Sequence, residues 1–581
     1  MQNSEFTSFI CFCHAARKHP RSTLAMNPMP AGDDAASDGM AEVGKQPIAG
    51  TLSFALNCGM FMVFIEMLDD ARFRKVAGVL AVGVAALCFP AQSARAAGEE
   101  APRFAFSTVR ELARALAAKD FQPPQNADLP EVLKKLTYDQ YQSIRFRPEQ
   151  SLWTDDHVRF TAQFFSRGYL YQDPVKVHVI DGGRVNDVAF SAKLFDYAAN
   201  RIPENLPASL QFAGFRLLYP LNSPQKMDEA AEFLGASYFR VLGVSQRYGA
   251  SLRGLAIDTG EPSGEEFPRF TEFWLEKPGP LAGGIRVFAL MDSPSMAGAY
   301  CFVIEPGAAT VVQVETSLFF RKSPKKIGVG SLSSLFLMGQ NRTRFVPDYR
   351  PQVHDSDGLQ IESGAGDWIW RPLVNPAKTF QISRFPVAEL KGFGLMQRDR
   401  EFSDYDDLGS RFDLRPSYWI EPGEGWGPGA VELVEIPTAN EWNDNMVAYW
   451  TPPETPAPGH ELHLTYRLSA LLAGPEQKPL LRVRSTRITP EISGSAPRFI
   501  IDFAGTPPHP IGPDTPPAAK VHASAGQVRD LVVQTNDASG GWRAFFELAG
   551  AGDNRTELRL RLEVGNAPVS ETWVYEYQKS N

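Results

Sequence analysis

The chain has 581 residues, 43% hydrophobic and 22% charged, with a formal net charge of −9. That length allows two or three folded units with sizeable cores. The acidic balance excludes a nucleic-acid backbone as the main partner, because phosphate binding needs a basic surface. A neutral ligand such as a sugar is compatible with it. The 10 Trp and 39 Phe serve either an aromatic-rich β core or flat faces for sugar rings. Glycine (47) and proline (46) are spread through the chain without a repeat, which suits many short strands joined by turns.

Residues 1–71 read as a leader. Residues 72–96 read as a secretory signal. Arg72, Arg74 and Lys75 form its basic start, an uncharged apolar run follows over 76–89, and Ala94-Arg95-Ala96 supplies the cleavage site. Met67 makes a natural start for such a signal. The apolar run 51–65 competes as a membrane anchor, but it is shorter than the roughly 20 residues that span a bilayer. Four of the five cysteines precede the expected cleavage after Ala96. Cys301 alone remains, in an apolar run, so no internal disulfide and no zinc cluster is expected.

Downstream, apolar spacing predicts helices over 104–119, 129–136 and 227–234. Period-two strand patterns dominate elsewhere: 158–165, 175–179, 211–218, 269–275, 285–290, 300–304, 310–318 and 380–385. An all-β fold follows, with a large β-sandwich over 97–470. Residues 471–479 read as a linker. Over 480–581, short strands at 480–488, 498–503, 528–534, 542–548, 556–564 and 572–577 predict an immunoglobulin-like sandwich.

No phosphate-loop, dinucleotide, nucleophile-elbow or zinc-protease motif is present, so no cofactor or metal is expected. Carboxylates are the remaining chemistry, and glycoside hydrolysis needs two of them. Two segments combine acids with aromatics and polar donors. One is Tyr349-Arg350-Pro351 with His354-Asp355-Ser356-Asp357, followed by Trp368-Ile369-Trp370-Arg371. The other is Asn443-Asp444-Asn445 with Tyr449-Trp450. Such a mixture holds a sugar, and it is equally ordinary turn sequence. Arg398, in the alternating run Gln397-Arg398-Asp399-Arg400, either binds sugar hydroxyls or belongs to a salt-bridge ladder.

These motifs resemble the osmoregulated periplasmic glucan biosynthesis protein G/D family. The matching stretches also include Gly392-Phe393-Gly394-Leu395, Leu414-Arg415-Pro416-Ser417, Val431 to Pro437 and Ser570-Glu571-Thr572-Trp573, in order from about Phe104 onward. The resemblance implies a galactose mutarotase-like β-sandwich joined to an immunoglobulin-like domain. It implies action on a glucan with a β-1,2-linked glucose backbone, with membrane-bound glucan synthases as partners. Carried over by position, Asp444 matches a general acid and Asp355 a general base of an inverting glucanase. The expected sugar contacts are Tyr349, Arg350, His354, Ser356, Trp368, Trp370, Arg371, Arg398, Tyr449 and Trp450. On this expectation, Tyr449 or Trp450 shields the acid, Arg350 or Arg371 holds the base ionised, and Trp368 and Trp370 either form a stacking face or belong to the core. The 397–400 run departs from a glycine-bearing version associated with the G branch and leans towards D. A non-catalytic glucan-binding role is the alternative; oligomeric state is left open.

Overall fold

The computed structural model describes residues 104–579 except 204, 343–346, 490–495, 513–515 and 553–554. The leader and signal expected over residues 1–96 lie outside them. No helix among the described residues is long and apolar enough to cross a membrane.

The first element follows its pattern. Helix Phe106–Ala117 buries Val109 and Ala113 and packs on one face of a large sheet against Trp274, Phe288 and Cys301. Arg110 forks onto Glu461 at 2.6 and 2.8 Å and clamps the helix to the strand Glu461–Leu471. Burial pushes the Cys301 thiol up to about 12, so this cysteine acts as a core residue.

Two sheets form the main sandwich. One has ten strands and runs from Thr161–Phe165 through Gly214–Ser223, Lys226–Leu234, Tyr238–Val241, Ser251–Arg253, Ile327–Ser334 and Met446–Thr451 to Gly429–Glu435 and Gln381–Val387. The other has fifteen strands. Their inner faces meet in one continuous core that joins Phe215, Phe233 and Phe239 to Phe270, Phe273 and Phe302. Alternating apolar positions build this core because successive strand residues face opposite ways.

One expected element is corrected. Residues 227–234 are a strand, Lys226–Leu234, not a helix. Its Met, Glu, Ala and Leu favour helices in isolation. Pairing on both sides, with Gly214–Ser223 and Tyr238–Val241, overrides that preference. The pattern misleads because Ala230 is the extra residue of a β-bulge, opposite the Leu217/Leu218 step. The bulge breaks the period of two and puts Glu229 and Glu232 on the same face. The helix expected over 129–136 is a single turn, Glu131–Lys134.

The C-terminal region is a sandwich of its own. A four-stranded sheet, Arg482–Thr489, Arg498–Ala504, Gly541–Ala549 and Gln527–Asn536, faces the strands Ala518–Ala523, Thr556–Val564 and Thr572–Tyr577. That second layer is not separate from the rest. Thr572–Tyr577 pairs in parallel with Trp368–Pro372, so the fifteen-stranded sheet runs from one sandwich into the other.

Candidate functional site

A strand of small residues sets up the site. In Ile327–Ser334, Ile327, Val329 and Leu332 enter the core. A bulge between Val329 and Leu332, with Gly330 at φ +61°, resets the alternation and turns Ser331 and Ser333 to the other face. Just beyond, two successive carbonyls accept the backbones of the two candidate segments. Asn445 donates its N–H to Ser334 O at 3.0 Å, and Asp355 donates to Leu335 O at 2.9 Å. The segments carrying Asp355 and Asp444 are thereby fixed on either side of one strand end.

Both aspartates are deeply buried, with exposures of 0% and 2%. Asp355 forms an ion pair with Arg415. Arg415 is itself held by Ser410 O, at 3.3 Å from Nε and 3.1 Å from Nη2, and its guanidinium lies 3.9 Å over the Phe412 ring. Asp444 accepts a hydrogen bond from Ser251 Oγ at 3.2 Å. Two residues earlier, Gly249 lies against the Arg415 side chain so closely that a Cβ there would be 2.6 Å from Cδ. One three-residue segment, 249–251, therefore touches the partner of one acid and the other acid directly.

Arg415 and Gly249 also line a groove of about 810 Å³ on the outer face of the ten-stranded sheet, together with Tyr248, Glu229, Glu232 and Arg240. Asp355 and Asp444 do not line this groove. Asp355 lies behind Arg415, and Asp444 behind the 249–251 segment. Inside the groove, Tyr248 donates to Glu229 at 2.9 Å, Arg216 donates to Glu229 at 3.1 Å, and Arg240 pairs with Glu232. Burial, with Glu232 as a like-charged neighbour, pushes the Glu229 carboxyl up to about 7.

Apart from exposed Tyr349, the other expected sugar contacts are engaged within the protein. His354 is buried between Gln397 Oε1 at 2.8 Å and Gln352 Oε1 at 3.0 Å, and it stacks on Phe336. Burial lowers its imidazole to about 4. Ser356 meets Ser334, hydroxyl to hydroxyl, at 2.9 Å. Trp368 and Trp370 belong to the core shared with the C-terminal sandwich, Trp368 stacking on Trp419, so the stacking face expected of them is covered. Arg398 lies 3.5 Å over Trp370 and grips both oxygens of Glu571, at 2.8 and 2.9 Å, as a cross-link between the two sandwiches. Arg371 pairs with buried Glu435 at 2.8 Å.

Tyr449 donates to Glu432 at 3.1 Å, and Trp450 packs on Trp426. Tyr349 is 77% exposed. Arg350 is held by Asp348, Asp407 and Glu441 at 2.7–2.9 Å, and so braces the loop that leads to Asp444. The expectation that Arg350 or Arg371 steadies Asp355 is corrected: Arg415 does so. Asn445 spends its side chain on Phe336 N and O and on Ile436 O, locking the turn after Asp444.

The sequence assigned Arg415 no role of its own, and it gave no sign of Ser251, Gly249 or the Glu229–Glu232 pair. The only signal for Arg415 was its place in the Leu414-Arg415-Pro416-Ser417 motif, since its partner is 60 residues away.

The family model described as "Periplasmic glucan biosynthesis protein, MdoG" matches residues 104–577. The chain belongs to this family. It is similar to proteins named "Glucans biosynthesis protein G" from three bacteria. Identity is 43% to that of Ralstonia nicotianae, over 85% of this chain and 99% of the relative. It is 42% to that of Rhodopseudomonas palustris, over 87% and 99%, and 41% to that of Dickeya dadantii, over 81% and 93%. All three relatives carry the G name. The Gln397 to Arg400 run that leans towards D is built into the fold here. Gln397 donates to His354 O, and Arg400 donates to the Asp413 carbonyl and to Ser417 Oγ.

Proposed function

We propose that this MdoG-family protein acts in the periplasm on a β-1,2-linked glucan as an inverting glycoside hydrolase. Asp444 is the general acid and Asp355 the general base. The observation that carries the reading is the 249–251 segment, which contacts Asp444 through Ser251 and the Asp355–Arg415 pair through Gly249 beside a large polar groove. Two carboxyl groups, one bonded to this segment and the other reached through Arg415, are the minimum equipment for the reaction. Asp444 gives its proton to the glycosidic oxygen as that bond breaks. A water attacks the anomeric carbon from the opposite face and passes its proton to Asp355. The guanidinium of Arg415 supports the ionised base. Because both carboxyls lie behind the groove wall, turnover requires that wall to open at two places, the 409–415 stretch beside Asp355 and the 249–251 segment beside Asp444.

The test is incubation of purified protein with linear β-1,2-glucan, with product anomers followed by NMR. Shortened chains released first as the inverted anomer are expected, and Asp444→Asn and Asp355→Asn, each folded, are expected to lose cleavage by about 10²–10⁴-fold. Full activity in both variants defeats the assignment. The second reading is a glucan-binding protein that hands polymer to or from a membrane-bound glucan synthase. The burial of both carboxyls favours it. Binding with no shortened products selects it.

A further inference from the structure

The large groove does not end at Arg216, Glu232 and Arg240. The same three side chains also border a second cavity of about 190 Å³ on the far side. They are a cross-strand row: Glu232 stands opposite Arg216 on one neighbouring strand and opposite Arg240 on the other. Arg216 reaches on to Gln163 Oε1 at 2.7 and 3.0 Å, so the row is anchored at its outer end.

The second cavity differs in character from the groove. Tyr138, Tyr141, Phe165 and Tyr171 supply rings, and Gln142 and Ser166 supply polar groups. The rings are fixed in place. Tyr141 donates to Ser166 O at 2.9 Å and lies 5.3 Å from Tyr171, and the Arg216 guanidinium lies 5.8 Å over Phe165. A purely apolar ligand there would cover the Arg–Glu row and leave charges without water. A ligand with hydroxyls around its rim and flat C–H faces satisfies both the row and the rings. At about 190 Å³ the cavity falls below the roughly 300–1,000 Å³ of sites that enclose drug-sized ligands, which suits a single ring.

We infer that the Tyr138–Tyr141 cavity is a terminal subsite that holds one glucosyl unit of a chain lying across the Arg240–Glu232–Arg216 row. This rests on the glucan reading proposed above, and it adds where the chain ends and predicts that longer chains bind more tightly. A trisaccharide seated at Arg415 does not engage the aromatic cavity, whereas a longer chain fills both.

The test uses the full chain and calorimetric titration with β-1,2-glucotriose and with a linear β-1,2-glucan of ten or more units. Tyr138→Ala and Gln142→Ala are compared with the unchanged protein, each checked for its melting temperature. The ratio of long-chain to trisaccharide affinity is expected to fall about five- to tenfold in each variant, as loss of one ring or hydrogen-bond contact requires. An unchanged ratio in folded variants of a protein that still binds the long glucan overturns this inference alone. If Tyr138→Ala does not fold, Gln142→Ala gives the answer. Failure of the unchanged protein to bind either glucan overturns the proposed function as well.

Discussion

Removing the Arg415 guanidinium strands the Asp355 charge in the interior, where water cannot replace the lost partner. Such a break costs about 3–5 kcal/mol. Arg415→Ala is therefore expected to lower the urea midpoint sharply. Arg415→Asn paired with Asp355→Asn removes both charges and is expected to recover much of the loss. Equal loss in the single and double variants contradicts the pairing. His354 behaves in the opposite manner. Its imidazole is lowered to about 4 by burial, so its neutral form belongs to the folded state. The stability it contributes is present above the usual pKa of about 6.5 and is lost as pH falls from there towards 4. Residues of this kind were only half legible. Asp355 and Asp444 stood out by their company in the sequence, but what holds them did not. Arg415 and Ser251 are 60 and 193 positions from their partners, and no local pattern reports such a contact.

The strand Lys226–Leu234 shows how an element can mislead and still carry the chemistry. Its bulge at Ala230 hides the alternation that identifies a strand, and the same bulge brings Glu229 and Glu232 onto one face. Burial, and then repulsion from Glu232, raise Glu229 to about 7, against the pull of Arg216 and the hydrogen bond from Tyr248. A carboxyl protonated more readily when folded contributes most below its unfolded value of about 4.3. That contribution is lost as pH rises from there through 7. Glu229→Gln is expected to raise the melting temperature more at pH 8 than at pH 5, checked by scanning calorimetry at both. A larger gain at pH 5 contradicts the assignment. Most other strands were legible because their patterns are unbroken. Thr556–Val564 and Thr572–Tyr577 fall where alternation puts them. Trp368 and Trp370 share one strand, but a strand pattern does not say what covers its face. Here the C-terminal sandwich covers it.

Across the molecule, the two sandwiches share a sheet, a core of Trp368, Trp370 and Trp419 with Phe499 and Trp573, and the Arg398–Glu571 cross-link. Domains joined only by a flexible linker melt independently; here the junction is built like an interior. One cooperative unfolding transition is expected for the full chain. A version cut after Leu471 is expected to aggregate or bind a hydrophobic dye, because the cut uncovers three tryptophans and a strand edge. Two separate calorimetric peaks, or a soluble monomeric fragment with native near-ultraviolet dichroism, contradict this. The linker read over 471–479 points to separable units, and sequence gives no hint that a strand beyond it returns to pair with one before it.

That return has a cost during biosynthesis. Trp573 settles beside Trp370, about 200 residues behind it in the chain. A chain that emerges N-terminus first, from a ribosome or from an export channel, presents Trp370 well before its partner. A growing polypeptide cannot finish its largest sheet until its final segment is made. Until then the indoles of Trp368, Trp370 and Trp419 stay uncovered.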